Sequence, residues 1–423
     1  MVSRERISLY GLLAANAVSL LGNTVAAVAI PWFVLVTTGS AARTGVAAFF
    51  TTVPLALGAL FGGVVADRVG PKLASVAGDM LSAASLAAIP MLLAAGALEF
   101  WHLLALGFLG SLFDGPSQAA RQALVPELAA QAGMPLERAN ALHNGTEHVG
   151  YVAGAPLAGI LIAAVGAPNA LWLDAASFLL AALLVTVTVP AAAASVRPRR
   201  HYVSELVEGL RFVTREPVVR ALLVVPTVGN FFISPLAPVV LPVYARDQLG
   251  GPGAFSALIA AYGLGGIFGI ALYGFAGPRL SRRAVYVSLA VFYAAVSFCL
   301  VALPPLWPAL ATLTLLGVSA GGIVPLFQTV RQERTPPELR GRVFATVAAA
   351  ETMAIPPAVL LAGLVVETLG LRAALLGFAG GNLLYAALKL SLSAARDLDP
   401  PDATVRVRAG LRRYPLARRS FGR

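Results

Sequence analysis

Apolar runs of eighteen or more residues recur along nearly the whole chain, and they constrain its fold more than any other feature. Each run is long enough to cross the hydrocarbon core of a bilayer as an α-helix. Strands of a membrane barrel would instead alternate between polar and apolar residues over about ten positions, and these runs do not alternate. The sequence therefore predicts an all-α, polytopic membrane protein.

Twelve spans can be assigned, and the composition agrees with that number. Only 12% of the 423 residues are charged and 58% are hydrophobic. The first run is too long for a cleaved signal peptide, so we interpret it as a retained spanning helix. The predicted spans are 8–36, 44–66, 73–96, 101–122, 140–165, 169–190, 219–243, 254–276, 284–303, 307–329, 342–367 and 371–393.

Positive charge is distributed unequally between the two sets of connections. With twelve spans, both termini and the even-numbered connections share one side, and 27 of the 31 Lys and Arg residues fall there. This count places Arg121, at the inner end of the fourth span, and Arg331, two residues past the tenth span, on the cytoplasmic side. Because Lys and Arg concentrate in cytoplasmic loops, both termini are predicted to be cytoplasmic. The expected location is a bacterial inner membrane.

Two segments outside the spans are predicted to lie along the inner surface. Residues 191–218 join the two sets of six spans and contain a short amphipathic helical pattern. Residues 396–423 form a basic tail that is expected to rest on anionic lipid headgroups, and little favours nucleic acid as its partner. The predicted divisions are therefore 1–190, 191–218, 219–395 and 396–423.

The first six spans resemble the last six at regular offsets of 211 and then 204 residues. Two such bundles in parallel orientation can open a central site alternately to either side of a membrane. The prediction is thus two pseudo-symmetric six-helix bundles. The matching residues include Gly58 with Gly269, Gly63 with Gly274, Arg68 with Arg279, Glu147 with Glu351, and "RQALVPEL" (121–128) with "RQERTPPEL" (331–339).

The connection between the second and third spans reads "GVVADRVGPK" over residues 63–72. Its pattern, within a duplicated six-helix unit, resembles the signature loop of the major facilitator superfamily, and the resemblance covers essentially the whole chain. Two further stretches, "SLFDGPSQAARQALVPEL" and "LWLDAASFLLAALLV", are similar to the branch that holds macrolide efflux pumps and the enterobactin exporter. The resemblance implies the major facilitator fold and secondary transport.

In that superfamily the loop aspartate packs against the cytoplasmic start of the eleventh helix and holds the inner side shut. The resemblance therefore implies a conformational latch, although the same charges could serve only to fix topology. The second copy of the loop has Pro278 in place of the aspartate, so the latch is expected to be one-sided. Its residues are Gly63, Asp67, Arg68, Gly70, Lys72, Arg340 and Arg342.

Four carboxylates inside the spans are candidates for proton coupling, because ionisable groups at that depth are costly. Asp114 lies near the middle of the fourth span, where it could accept a proton, contact a cation, or cap a break at residues 115–116. Glu147 and Glu351 occupy matching positions and could exchange protons or be paired in a gate network. Asp79 lies near the inner end of the third span, and the sequence does not identify its partner.

Amide and aromatic side chains on the cavity-lining spans are the candidates for substrate contact. No Lys or Arg is expected near the midplane, and the fourth span is expected to lack a buried arginine. Such a cavity would suit a neutral or cationic amphipathic compound better than a strongly anionic one. The candidates are Asn16, Asn23, Gln118, Asn230, Phe231 and Gln328.

Other classes of function are less favoured. The spacing from His143 to His148 is H-x-x-x-E-H, which fits no zinc-protease pattern, and no phosphate-binding Gly-x-x-x-x-Gly-Lys motif occurs. No enzymatic activity, metal or cofactor is therefore predicted. The favoured function is proton-coupled efflux of amphipathic drugs, such as macrolides, by a monomer. Export of a siderophore or another metabolite, and uptake by a symporter or uniporter, are alternatives, because no motif encodes direction.

Overall fold

A computed structural model describes residues 4–190, 210–335 and 340–391, and almost all of them are helical. The first half contains α1 (Arg4–Thr38), α2 (Ala41–Val69), α3 (Pro71–Ala94), α4 (Phe100–Gln131), α5 (Leu136–Val165) and α6 (Ala167–Thr188). The second half contains α7 (Pro217–Ile233), α8 (Leu241–Gln248), α9 (Pro252–Ala276), α10 (Arg282–Ser297), α11 (Leu306–Arg334), α12 (Arg340–Met353), α13 (Ile355–Leu369) and α14 (Leu371–Ser391). The predicted linker falls mostly outside these ranges, and so does the basic tail.

Two passes of the second half are divided into shorter helices. A π-helical turn, Leu236–Val240, joins α7 to α8. A break at Ala354 separates α12 from α13, directly before Pro356. Proline lacks a backbone donor and crowds the preceding turn, which accounts for the position of the second break. With each divided pair counted as one pass, the described chain makes twelve helical passes.

Ten of the twelve passes are long and apolar enough to cross a membrane within the described residues. The other two are α4 and α5, which have 32 and 30 residues and hence lengths of about 48 and 45 Å. The helix α4 continues nine residues past the predicted end at residue 122, through Pro126 to Gln131. Polar side chains on α4 lower its hydropathy, and they prove to belong to a buried site.

Close backbone contacts join equivalent helices in both halves. A Cβ atom added to Gly58 of α2 would lie 2.8 Å from the Cα atom of Gly115 in α4. In the second half, a Cβ atom on Gly269 of α9 would lie 2.1 Å from the carbonyl oxygen of Val318 in α11. Lipid gives apolar helices little reason to associate, so such close packing is a main source of their contact. The matched glycines of the repeat therefore mark the same helix contact twice.

The two halves also meet where α1 ends and α2 begins. A Cβ atom on Gly45 of α2 would lie 2.9 Å from the Cα atom of Gly363 in α13. The Glu367 carboxylate accepts a hydrogen bond of 2.8 Å from the amide of Ala41, at the start of α2. Arg246 donates to carbonyl groups near the end of α1. We call this region the outer seam, after the orientation predicted from charge.

Candidate functional site

A fully buried arginine lies in α4, where the sequence analysis expected none. The Nη1 atom of Arg121 lies 2.8 Å from both carboxylate oxygens of Asp79 in α3, and neither side chain is exposed. The same nitrogen donates to the Ser117 hydroxyl at 3.0 Å. The expectation that the fourth span lacks a buried arginine was wrong, because Arg121 lies inside α4 and Asp79 compensates its charge.

Arg121 also connects α4 to α1 and, through α1, to α5. Its Nε atom donates to Asn16 Oδ1 and its Nη2 atom to Ser19 Oγ, each at 3.1 Å. The Asn16 amide in turn donates to Thr146 Oγ1 of α5 at 2.7 Å. We call these side chains the first-half polar cluster; its members are Asn16, Ser19, Asn23, Asp79, Asp114, Ser117, Gln118 and Arg121.

Asp114 is held in this cluster by amides on one of its two oxygens. Its Oδ2 atom accepts hydrogen bonds from Asn23 Nδ2 at 2.9 Å and from Gln118 Nε2 at 2.6 Å. Its Oδ1 atom lies 3.9 Å from Arg121 Nη2 and has no hydrogen-bond donor in the described part of the chain. The carboxyl is 4% exposed, so this second oxygen is a buried acceptor without a donor.

The second half contains a cavity of about 280 Å³. Its described walls come from α7, α9, α10, α11, α12 and α14, which all belong to the second half. The predicted substrate residues Asn230 and Gln328 lie on these walls. Phe231 instead packs edge-on against Phe232, with ring centroids 5.3 Å apart. Asn16, Asn23 and Gln118 bond within the first-half polar cluster.

An ion pair lies on the wall of this cavity. Arg331 of α11 pairs with Glu351 of α12 and donates to the Leu222 carbonyl of α7 at 2.9 Å. Arg331 is only 7% exposed, so its assignment to a cytoplasmic connection was also wrong. Of the two roles predicted for Glu351, the structure shows the paired arrangement.

A second cation, Lys389 of α14, lines the same cavity and is 1% exposed. Its Nζ atom lies 4.0 Å from the ring centroid of Tyr385, 4.8 Å from that of Tyr286 and 5.6 Å from that of Phe327. Among the described residues no carboxylate forms a salt bridge with it. Arg121, Arg331 and Lys389 are thus three buried basic residues inside helices of the described chain.

The two halves differ at a position that lies on the wall of the cavity. Arg331 is the repeat counterpart of Arg121, and at the offset of 211 residues the counterpart of Asp79 is Ala290. Alanine carries no carboxylate, so Arg331 takes Glu351 of a different helix as its partner. Ala290 lines the cavity. At the position that matches Asp79, the second half thus presents an alanine to the cavity.

The signature loop is anchored within its own half. Gly70 joins α2 to α3 with a φ of 88°, a conformation that favours glycine. Lys72 Nζ donates to the carbonyl groups of Thr186, at 2.9 Å, and Val189, at 2.5 Å, at the end of α6. Gly63 lies within α2 and Arg68 is exposed. The side chains of Asp67, Glu147, Arg340 and Arg342 lie outside the described residues, so their predicted roles are untested.

The sequence model of a major facilitator family, described as transmembrane secretion effector, matches residues 7–409. The chain belongs to the major facilitator superfamily. It is 31% identical over 407 residues to the multidrug efflux pump Tap of Mycolicibacterium fortuitum, covering 94% of this chain and 99% of that protein. It is 22% identical over 377 residues to macrolide efflux protein A of Streptococcus pyogenes, covering 87% and 91%.

Solved structures of this superfamily share the fold. A mutant of the nucleoside transporter NupG superposes with a TM-score of 0.76 at 13% identity, covering 91% of this chain and all of that one. The predicted superfamily and fold class are thereby confirmed. This major facilitator protein is a multi-pass membrane transporter and not an enzyme.

Proposed function

We propose that this protein is a secondary efflux transporter that exports amphipathic drugs in exchange for protons, by alternating access. Two relatives named as efflux pumps, Tap and macrolide efflux protein A, support the efflux of drugs. The observation that carries proton coupling is Asp114, a buried carboxyl whose Oδ1 atom has no donor in the described structure. Such an oxygen is free to take up a proton.

Charge balance in the first half favours this role. Asp174, fully buried in α6, interacts electrostatically with Asp114. Arg121 pairs with Asp79 and lies 3.9 Å from Asp114, whereas Asp174 forms no salt bridge among the described residues. Asp79 has both oxygens on Arg121, so the other two are left without full compensation. A carboxylate in this setting is costly, and a proton on Asp114 removes its charge.

Alternating access would couple this proton to the cavity of the second half. The outer seam is closed in the structure, through Gly45, Gly363 and Glu367. The proposed latch, in which Asp67 meets Arg340 or Arg342, would close the opposite side in the other state. Protonation of Asp114 removes one negative charge from α4. This loss of charge would change the free-energy difference between the two states. The tail would meanwhile rest on anionic lipid.

The test is transport into energised inverted membrane vesicles, using a panel of amphipathic drugs. Accumulation should require the protein and should collapse when a protonophore removes the gradient. Vesicles from cells that lack the protein are the control. Accumulation that ignores the protonophore would contradict antiport, and accumulation only in right-side-out vesicles would show the alternative direction, uptake. A siderophore in the same panel distinguishes metabolite export from drug export.

A further inference from the structure

The cavity of the second half contains one more positive charge than negative. Its described charged wall residues are Arg331, Glu351 and Lys389. Arg331 and Glu351 neutralise each other as an ion pair. Lys389 is left with three aromatic rings as its neighbours, and no hydrogen-bond acceptor contacts its ammonium group in the part of the chain described.

Aromatic rings stabilise an ammonium group but do not neutralise it. A cation–π contact stabilises an ammonium group by less than the burial of a charge without a counter-ion costs. Glu351 is not free to serve as the counter-ion, because Arg331 occupies it. An acidic group on a ligand in the cavity would supply the counter-ion that the described walls do not.

We propose that the cavity binds amphipathic compounds that carry an acidic group, and that this group pairs with Lys389 Nζ. The proposal names the substrate class of the efflux function above and depends on that function for transport, although not for binding. It reverses the sequence-based expectation of a neutral or cationic substrate, which rested on the absence of Lys and Arg near the midplane of the spans.

A second unsatisfied donor lies on the same wall. The Nε atom of Arg331 is buried and has no acceptor among the described residues. The amide of Gln328 adds a polar group, and the apolar side chains of Ile323 and Val324 face the body of the compound. Two cationic donors with an apolar surface beside them suit an organic acid better than an inorganic anion.

The test compares two ligands that differ in charge and by one methyl group, a pyrene carboxylic acid and its methyl ester. Binding is measured by fluorescence anisotropy on the purified full-length chain in nanodiscs at pH 6.0, with empty nanodiscs as the background. The acid should bind at least tenfold more tightly than the ester. Equal affinity of the wild-type protein for the two ligands would overturn the proposal without any variant.

Two substitutions then place the effect at one side chain. Lys389→Gln should abolish the preference for the acid while leaving ester binding within twofold, and Lys389→Arg should keep most of the preference. Arg372→Gln, at an exposed position of the same helix, is the matched control and should change nothing. A Lys389→Gln protein that still prefers the acid would refute the assignment. Binding of the acid without vesicle transport would instead contradict only the efflux function.

Discussion

Arg121 and Asp79 form a two-point ion pair between α4 and α3 in which neither side chain reaches solvent. Removing one partner leaves the other charge buried without compensation, which typically costs about 3–5 kcal/mol. We therefore expect Asp79→Ala and Arg121→Met each to lower the free energy of unfolding by about that amount. Thermal unfolding in detergent measures the change.

A double substitution and an exposed pair serve as controls for this prediction. Asp79→Leu combined with Arg121→Met should be less destabilising than either single change, because neither member of the pair is left without the other. The control pair is Arg246 and Asp247, whose side chains are 31% and 39% exposed. Asp247→Asn breaks this pair and should cost less than about 1 kcal/mol. Equal losses at the buried and the exposed pair would show that Asp79 does not compensate Arg121.

Asp114→Asn should abolish gradient-driven transport and leave drug binding within about twofold. Asparagine keeps the size of the side chain and can still accept from Asn23 or Gln118, but it cannot take up a proton. Vesicle transport and equilibrium binding, measured on the same preparation, separate the two effects. Glu127→Gln, at an exposed position of α4, is the matched control. Driven transport by Asp114→Asn at the wild-type rate would remove Asp114 from the coupling mechanism.

Gly45→Val should prevent full closure of the outer seam. The added Cβ atom alone would lie 2.8 Å from the Val359 carbonyl oxygen and 2.9 Å from Gly363 Cα. A cysteine introduced at Ala42, in a Cys299→Ser background, should then react several-fold faster with a membrane-impermeant maleimide added from the outer side. Gly377→Val is the control, since no atom lies within 4 Å of its added Cβ. Unchanged labelling would mean that the seam tolerates a side chain.

Lys72→Met should destabilise the first half by about 1 kcal/mol, because the last carbonyl groups of α6 lose a charged donor. Arg68→Met, at an exposed position of the same loop, should have a smaller effect on the unfolding midpoint. If the two substitutions were equally harmful, the loss would come from loop charge in general and not from the contact with α6.

The helical architecture could be predicted because hydrophobic length is read directly from the sequence. The bounds failed where a helix is apolar for only part of its length. In α4 the predicted span ended at residue 122, where the apolar run stops, although the helix continues for nine more residues. A helical spacing could have found the site: Asp114, Gln118 and Arg121 are four and three residues apart, so they share one face.

The cavity was harder to predict, because it depends on contacts between helices that are distant in sequence. Lys389 follows Tyr385 by one turn, and this spacing could have indicated a cation beside a ring. Its other two aromatic neighbours, Tyr286 and Phe327, come from α10 and α11, and no local pattern connects them to α14. The consequence of Ala290 is likewise visible only once α10 lies against α11.

The location of the described cavity walls in one half has a mechanical consequence. A solute bound to these walls would move together with the second half when the two halves rock against each other. Its contacts with the wall residues would stay the same during the conformational change. Release of the solute would then depend on the position of the first half relative to the cavity.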